Sequence, residues 1–302
     1  RTYLFGLGFN VNLDSSNLED LILYSQSANQ FQILTNTGSG SFISSGTQAY
    51  SSNISWMSAA AYKERSSVNN KWHLLAVSDS TKPVLFQMTG SAFSAVALDT
   101  TLTAAIRSLT ADFNSDGFQD FLIIPKFSGV APLILKNDSD VSFQQVEMAR
   151  TGSATISEAA TGDFNADGKI DIVLATSEGF EIHINASPDS NTIVFQEVIS
   201  QFDPNSTNVI WMAVGEVTGD GVLDVMVARN NAAPIILAGL GNYQFGDFTN
   251  LAFGSQLNQC FTGSSASSIK QVYFSSIRKN GKNDVIVANE VGDLCVLFNQ
   301  GS

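Results

Sequence analysis

Short apolar runs alternate along the whole chain with clusters of Gly, Asn, Asp and Ser, and no long 3.6-residue period appears. Runs rich in β-branched and aromatic residues and bounded by turn formers predict strands. Residues 152–202 show the pattern most plainly, with strand A from Ile156 to Gly162, B from Ile170 to Thr176, C from Phe180 to Asn185 and D from Thr192 to Ile199. Four short antiparallel strands in about 50 residues make one blade of a β-propeller. Within strand C, Phe180, Ile182 and Ile184 alternate with Glu181, His183 and Asn185, which predicts that the polar three face outward and that His183 is a surface residue.

The unit recurs. DFNSDGFQD at 112–120 runs into FLII, DFNADGKID at 163–171 into IVLA, and EVTGDGVLD at 216–224 into VMVA. Weaker copies are NLDSSNLED at 12–20 and SIRKNGKND at 276–284, and a further copy keeps the strand but has His73 in place of the closing Asp. The anchors at 20, 73, 120, 171, 224 and 284 are 53, 47, 51, 53 and 60 residues apart. An aromatic follows five of the anchors, at Phe42, Phe93, Phe143, Phe195 and Phe245, and Pro83, Pro132 and Pro234 each head an apolar run, where a missing N–H breaks no ladder bond.

The predicted fold is therefore all-β: a single β-propeller domain over 1–302 with six detectable four-stranded repeats at about 1–50, 51–100, 101–151, 152–202, 203–256 and 257–302. The last repeat has strands A, B and C but no D, so either a longer natural chain completes it, with room for a seventh blade, or another chain supplies the strand. An uncovered edge of this kind invites strand addition or self-assembly.

The loops carry the chemistry. Asp112, Asn114, Asp116 and Asp120 place oxygen-bearing side chains at positions 1, 3, 5 and 9, and the Phe118 carbonyl adds a donor at position 7. An all-oxygen set on a short loop suits Ca²⁺, whereas Zn²⁺ favours Cys and His. The next copy offers Asp163, Asn165, Asp167, the Lys169 carbonyl and Asp171, and the third Glu216, Thr218, Asp220, the Val222 carbonyl and Asp224. Gly117 and Gly168 supply the sharp turn after the third ligand. The first copy, with Asn12, Asp14, Ser16, the Leu18 carbonyl and Asp20, keeps oxygens but loses charge, which sets the expectation at two to four Ca²⁺. An EF-hand is excluded because position 12 is Ile123 or Leu174 within a β-like run. Arg278 in the last loop would repel a cation and pair with Asp284, and Lys63, Arg65 and Lys71 make the second copy unsuited to metal.

A loop of this kind followed by a β-run resembles the FG-GAP/VCBS repeats, which form the β-propeller head of integrin α chains. The resemblance spans nearly the whole chain. Its FG and GAP signature is partly kept, at Phe5-Gly6, Phe245-Gly246 and Phe253-Gly254, while Ala131-Pro132 and Ala233-Pro234 lack the preceding Gly. It implies that each loop joins strands A and B and binds Ca²⁺. It also implies that a protein or glycan partner binds on the opposite face, where Trp56 and Trp211 mark a candidate ligand surface; the alternative for both indoles is packing between blades.

Composition narrows the function class. With 15 Lys+Arg against 28 Asp+Glu the net charge is −13, which argues against nucleic acid, and three bound Ca²⁺ would bring it to −7. No apolar run is long enough to insert in a membrane. Cys260 and Cys295 suit one disulfide, and Asn-x-Ser/Thr acceptors at Asn53, Asn137, Asn185 and Asn205 suit a glycosylated protein, so an extracellular or cell-surface location is expected. Asn137 and Asn185 fall in the same C–D turn of consecutive repeats, which would place their glycans on the metal face. The leading expectation is a non-enzymatic recognition, adhesion or assembly module. The alternative is a carbohydrate-binding, lectin-like propeller. A polysaccharide-acting enzyme is the least supported, because the chain has only His73 and His183 and its acidic clusters are all taken by the loops.

Overall fold

The apolar runs become strands because each is too short for a helix with a buried face and is flanked by turn residues that let the chain reverse. The computed structural model describes residues 3–5, 18, 20–25, 27–50, 54–63, 70–89, 92–96, 98, 100–137, 143–201, 209–229, 232–241, 243–247, 269–275, 277, 283–289 and 293–299. Among these there is no helix.

Six antiparallel sheets follow one another along the chain, and each is a propeller blade whose strands pair in sequence order. Blade 1 holds β1 (Tyr3–Phe5), β2 (Leu21–Ser25), β3 (Gln30–Asn36) and β4 (Phe42–Ala49). Blade 2 holds β5 (Trp56–Lys63), β6 (Asn70–Val77), β7 (Val84–Thr89) and β8 (Ala92–Val96). Blade 3 holds β9 (Ala105–Ala111), β10 (Asp120–Pro125), β11 (Leu133–Asn137) and β12 (Phe143–Glu147). Blade 4 holds β13 (Ile156–Gly162), β14 (Asp171–Thr176), β15 (Phe180–Asn185) and β16 (Phe195–Gln201). Blade 5 holds β17 (Val209–Gly215), β18 (Asp224–Arg229), β19 (Ala232–Gly239) and β20 (Phe245–Asp247). Blade 6 has three strands among the described residues: β21 (Ile269–Ser275), β22 (Asp284–Asn289) and β23 (Leu294–Leu297). Pro83 and Pro132 stand just before β7 and β11, as expected. Pro234 instead lies inside β19, beside a register shift opposite Val227 and Arg229, and an irregularity of this kind accommodates the missing N–H.

The chain forms two compact units, one of residues 1–153 with 187–193 and the other of 154–186 with 194–302. In the first, Ile22, Phe31, Met57, Leu74, Phe86 and Phe93 form a core, with Phe31 stacked on Phe93 at 5.0 Å between ring centroids. In the second, Val173, Ile182, Met212, Val225 and Leu237 form another, with Phe164 edge-on to Phe245 at 5.6 Å. Of the recurring aromatics, Phe93, Phe195 and Phe245 are buried, whereas Phe42 on β4 is exposed.

The alternation in β15 does not mark a solvent face. His183, Glu181 and Asn185 are all buried, along with Phe180, Ile182 and Ile184. An inner strand of a blade is covered on both faces, so polar residues on it sit in the interior. The His183 Nε2 lies 3.4 Å from the Glu181 carboxylate.

Adjacent A strands approach closely where the preceding residue is small. A Cβ on Gly215 would come within 2.6 Å of Phe274 in β21, and one on Gly162 would come within 3.1 Å of Val214 in β17. Both glycines immediately precede an acidic loop. Trp211, at the start of the same seam, is buried, donates its indole N–H to the Val272 carbonyl at 2.9 Å and lies edge-on to Tyr273. Trp56 does the equivalent in the first unit: its N–H donates to the Ser108 carbonyl at 2.9 Å, and the Arg107 guanidinium covers its ring at 3.9 Å. Both indoles are thus engaged with the following blade, Trp211 buried and Trp56 half-buried.

Candidate metal-binding loops

Each acidic loop leaves strand A, turns twice and enters strand B. In blade 3, Asp112 accepts hydrogen bonds from the amides of Asp116 (3.0 Å) and Gly117 (2.9 Å), while Asp116 accepts from the Phe118 amide (2.8 Å). Blade 4 reproduces this, with Asp163 accepting from Asp167 (3.1 Å) and Gly168 (2.8 Å), and Asp167 from Lys169 (2.9 Å). In blade 5 the longer Glu216 reaches the Gly219 amide and the Thr218 hydroxyl instead, while Asp220 still accepts from Val222. Position 6 is left-handed in all three loops, at Gly117 (φ 88°), Gly168 (85°) and Gly221 (84°). So is position 4, at Ser115 (56°), Ala166 (60°) and Gly219 (90°). The second left-handed residue was hidden in the sequence because two of the three copies use a side chain there. Exposed L-residues in this region are strained, so Ala166→Gly is expected to raise stability by about 0.5–1 kcal/mol after allowing for the extra freedom of the unfolded chain, measured as a higher denaturation midpoint with unchanged slope.

The closing aspartate is a buried staple. Asp120 accepts from the Phe113 amide (3.0 Å) at the loop's start and the Asn137 amide (2.8 Å) at the end of strand C. Asp171 binds the Phe164 (3.0 Å) and Asn185 (2.9 Å) amides in the same way, and Asp224 those of Val217 (2.7 Å) and Gly239 (2.9 Å). Asp20 accepts from the Asn36 amide and Asp284 from the Asn299 amide, so the strand-C half of the staple also occurs in the weaker copies. Burial pushes Asp120 up to about 7 and Asp171 up to about 6; the amide donors oppose this, and the like charges of the two other loop aspartates add to it. Burial also raises Asp224.

The asparagine that ends strand C completes the lock. The Asn137 and Asn185 side chains donate to the carbonyls of Gln119 (3.2 Å) and Ile170 (3.0 Å), and both residues are buried. The Nδ2 atoms that would carry a glycan are thus turned to interior carbonyls in this structure. Asn53 and Asn205 lie outside the described residues, as do Cys260, Asn12, Asp14, Ser16 and Arg278. Leu18 is half-buried, and Cys295 is disulfide-bonded.

Among the described residues no three Asp, Glu, His or Cys side chains lie close enough together to hold an ion. Position 9 is tied to the base of its loop and to strand C, while positions 1 and 5 accept the loop's own amides. The donor chemistry nevertheless fits a hard cation. Every ligating side chain offers oxygen, and each carboxylate oxygen of Asp120 and Asp171 accepts a single amide and keeps a second lone pair, whereas Asp224 Oδ2 accepts two, from Val217 and Thr218. Asn114, only 4% exposed, has an Oδ1 with no hydrogen-bond donor among the described residues. A buried acceptor without a partner is costly, and here it stands at position 3 of the loop, between the carboxylates of positions 1 and 5.

Six sheets of this topology with a repeated acidic A–B loop define a β-propeller built of internal repeats. Residues 112–174 and 163–227 match the family described as FG-GAP-like repeat. Among solved structures, BBS1N in a crystal of its complex with ARL6DN, soaked with mercury, is similar over 93% of this chain and 75% of its own length, at 10% identity and a TM-score of 0.56. A mutant of the Aleuria aurantia lectin in complex with alpha-methyl-L-fucoside is similar over 94% of this chain and 88% of its own length, at 12% identity and a TM-score of 0.50. At such identities the likeness concerns the fold alone. No curated protein is significantly similar to the chain in sequence.

Proposed function

We propose that this chain is a non-enzymatic extracellular recognition, adhesion or assembly propeller whose A–B loops in blades 3, 4 and 5 bind structural Ca²⁺. The observation that carries the reading is the buried, donorless Asn114 Oδ1 at the third position of a loop that also presents Asp112 and Asp116. Asp112, Asn114, Asp116, the Phe118 carbonyl and Asp120 would hold the ion in blade 3, and Asp163, Asn165, Asp167, the Lys169 carbonyl and Asp171 in blade 4. Glu216, Thr218, Asp220, the Val222 carbonyl and Asp224 would do so in blade 5. A bound ion would supply positive charge among the clustered carboxylates and fix the loop's two turns.

The partner is proposed to be a protein or glycan that meets the propeller opposite the metal loops, or a further strand added at blade 6. The second of these draws support from β23, where Leu294 and Val296 are exposed, as is Phe298 just beyond it. A lectin-like function rests only on the fold, since the two tryptophans proposed for a sugar platform have their indole N–H groups engaged within it.

Calorimetric titration with Ca²⁺, together with anomalous scattering from crystals grown in Ca²⁺, tests the metal reading. Ions in the loops at 112–120 and 163–171 and a melting temperature lowered by a chelator are the expected results. No ion in either loop and a melt indifferent to chelation would overturn it.

A further inference from the structure

The third-position asparagine uses its two ends differently. In blade 3 the Asn114 Nδ2 donates to Asp116 (2.8 Å) and also to the backbone carbonyl of Ser190, in the connection that follows β15 in blade 4. The Asn165 Nδ2 in blade 4 repeats the arrangement: it donates to Asp167 (2.9 Å) and to the hydroxyl oxygen of Tyr243 (2.9 Å), in the turn between β19 and β20 of blade 5. In both cases the acceptor beyond the loop comes from the C–D connection of the next blade in sequence. Tyr243 itself has φ +66°, a conformation that a bulky residue seldom adopts. The turn is closed by Leu240 N–H to the Gln244 carbonyl (2.9 Å) and Gln244 N–H to the Gly241 carbonyl (3.2 Å), which fixes the strained residue in place.

An asparagine amide can ligate a cation only through its oxygen, so whatever holds the nitrogen decides whether the oxygen faces the ion. We propose that Tyr243, supplied by blade 5, positions Asn165 as a calcium ligand of the blade-4 loop and thereby couples ion occupancy to the packing of blade 4 against blade 5. The proposal rests on the calcium reading of the loops. Asp167 holds one amide proton of Asn165 and Tyr243 the other, which leaves Oδ1 turned to the loop, where it accepts from the Asp167 amide at 3.0 Å with a lone pair to spare. The coupling is reciprocal: if the tyrosine favours the ion, the ion holds the tyrosine, and with it the C–D turn of the next blade. Tyr243 does not touch the ion and acts through Asn165. Partners of this kind typically change metal affinity by tenfold or more.

The test uses the full chain with Asp116→Ala and Asp220→Ala, which disable the loops of blades 3 and 5. Ca²⁺ is titrated calorimetrically into this background, into it with Tyr243→Phe, and into it with Asn165→Asp alone and combined with Tyr243→Phe. Tyr243→Phe is expected to weaken calcium binding about tenfold. In the Asn165→Asp background, where a carboxylate presents oxygen in either orientation, the same change should have less than a twofold effect. A purely structural tyrosine would not show that difference, and denaturation in chelator measures its structural share separately. Calcium binding that is unaltered by Tyr243→Phe, or weakened equally in both backgrounds, overturns the proposal and leaves the calcium reading standing. A background protein that binds no calcium removes the blade-4 site and the proposal with it, and an unsubstituted chain that also binds none overturns the calcium reading.

Discussion

Replacing Asp171 with alanine is expected to destabilise the protein by about 3 kcal/mol with a chelator present. The two amides it serves belong to Phe164 and Asn185, both buried, and an orphaned interior donor costs about 1–3 kcal/mol. Release of the carboxylate from its own unfavourable burial offsets part of that loss. Asp171→Asn, which keeps one carbonyl acceptor, should fall between, and Asp163→Ala, which removes only turn hydrogen bonds on an open loop, should cost about 1 kcal/mol. Chemical denaturation of the three variants in chelator provides the ranking. Equal losses at positions 163 and 171 would show that the closing residue has no special place in the apo fold and acts only through metal.

Acid is expected to weaken blade 2 through His73. The residue replaces the closing aspartate, is fully buried and packs edge-on to Phe143 at 4.9 Å, and burial pushes its imidazole down to about 4. A folded-state value below the unfolded one means that the unfolded chain takes up the proton first. The contribution is therefore complete above about pH 6.5 and is lost as pH falls towards 4. Between pH 7.5 and 4.5 the loss attributable to this residue is about 2.5 kcal/mol. His73→Gln should flatten the fall in stability over that interval by a similar amount, whatever its effect at neutral pH. Carboxylates titrate in both proteins and cancel in the difference. Parallel pH profiles would rule out His73 as the source.

The blades were legible in the sequence because loop and strand B repeat as a single block. Strands A and C of blade 4 fall at Ile156–Gly162 and Phe180–Asn185, as their apolar runs indicate. The errors have physical causes. His183 looked external because alternation was read against water, whereas an inner blade strand has interior on both sides. Asn137 and Asn185 drew notice because a serine follows each two residues on, and residue type did not show that both are buried. Their real signal was positional: Asn36, Asn137, Asn185 and Asn299 each follow a closing aspartate by 14 to 17 residues. Beyond these, the hold of Asp120 and Asp171 on two backbone amides each could not be read from residue type. Tyr243 left no sequence signal, since its partner Asn165 lies 78 residues away.

The staple also orders the entropy of folding. Its bonds close loops of 7 residues at the head of a blade and 14 to 17 residues across it. The indole bonds to the next blade span 52 and 61 residues. Closure entropy rises with loop length, and local contacts form at less entropic expense than distant ones. Each aspartate can therefore gather its own blade before the tryptophans have a neighbour to bond. The repeat unit is thus expected to be a kinetic unit too, with the acidic loops forming early and the long-range seams late.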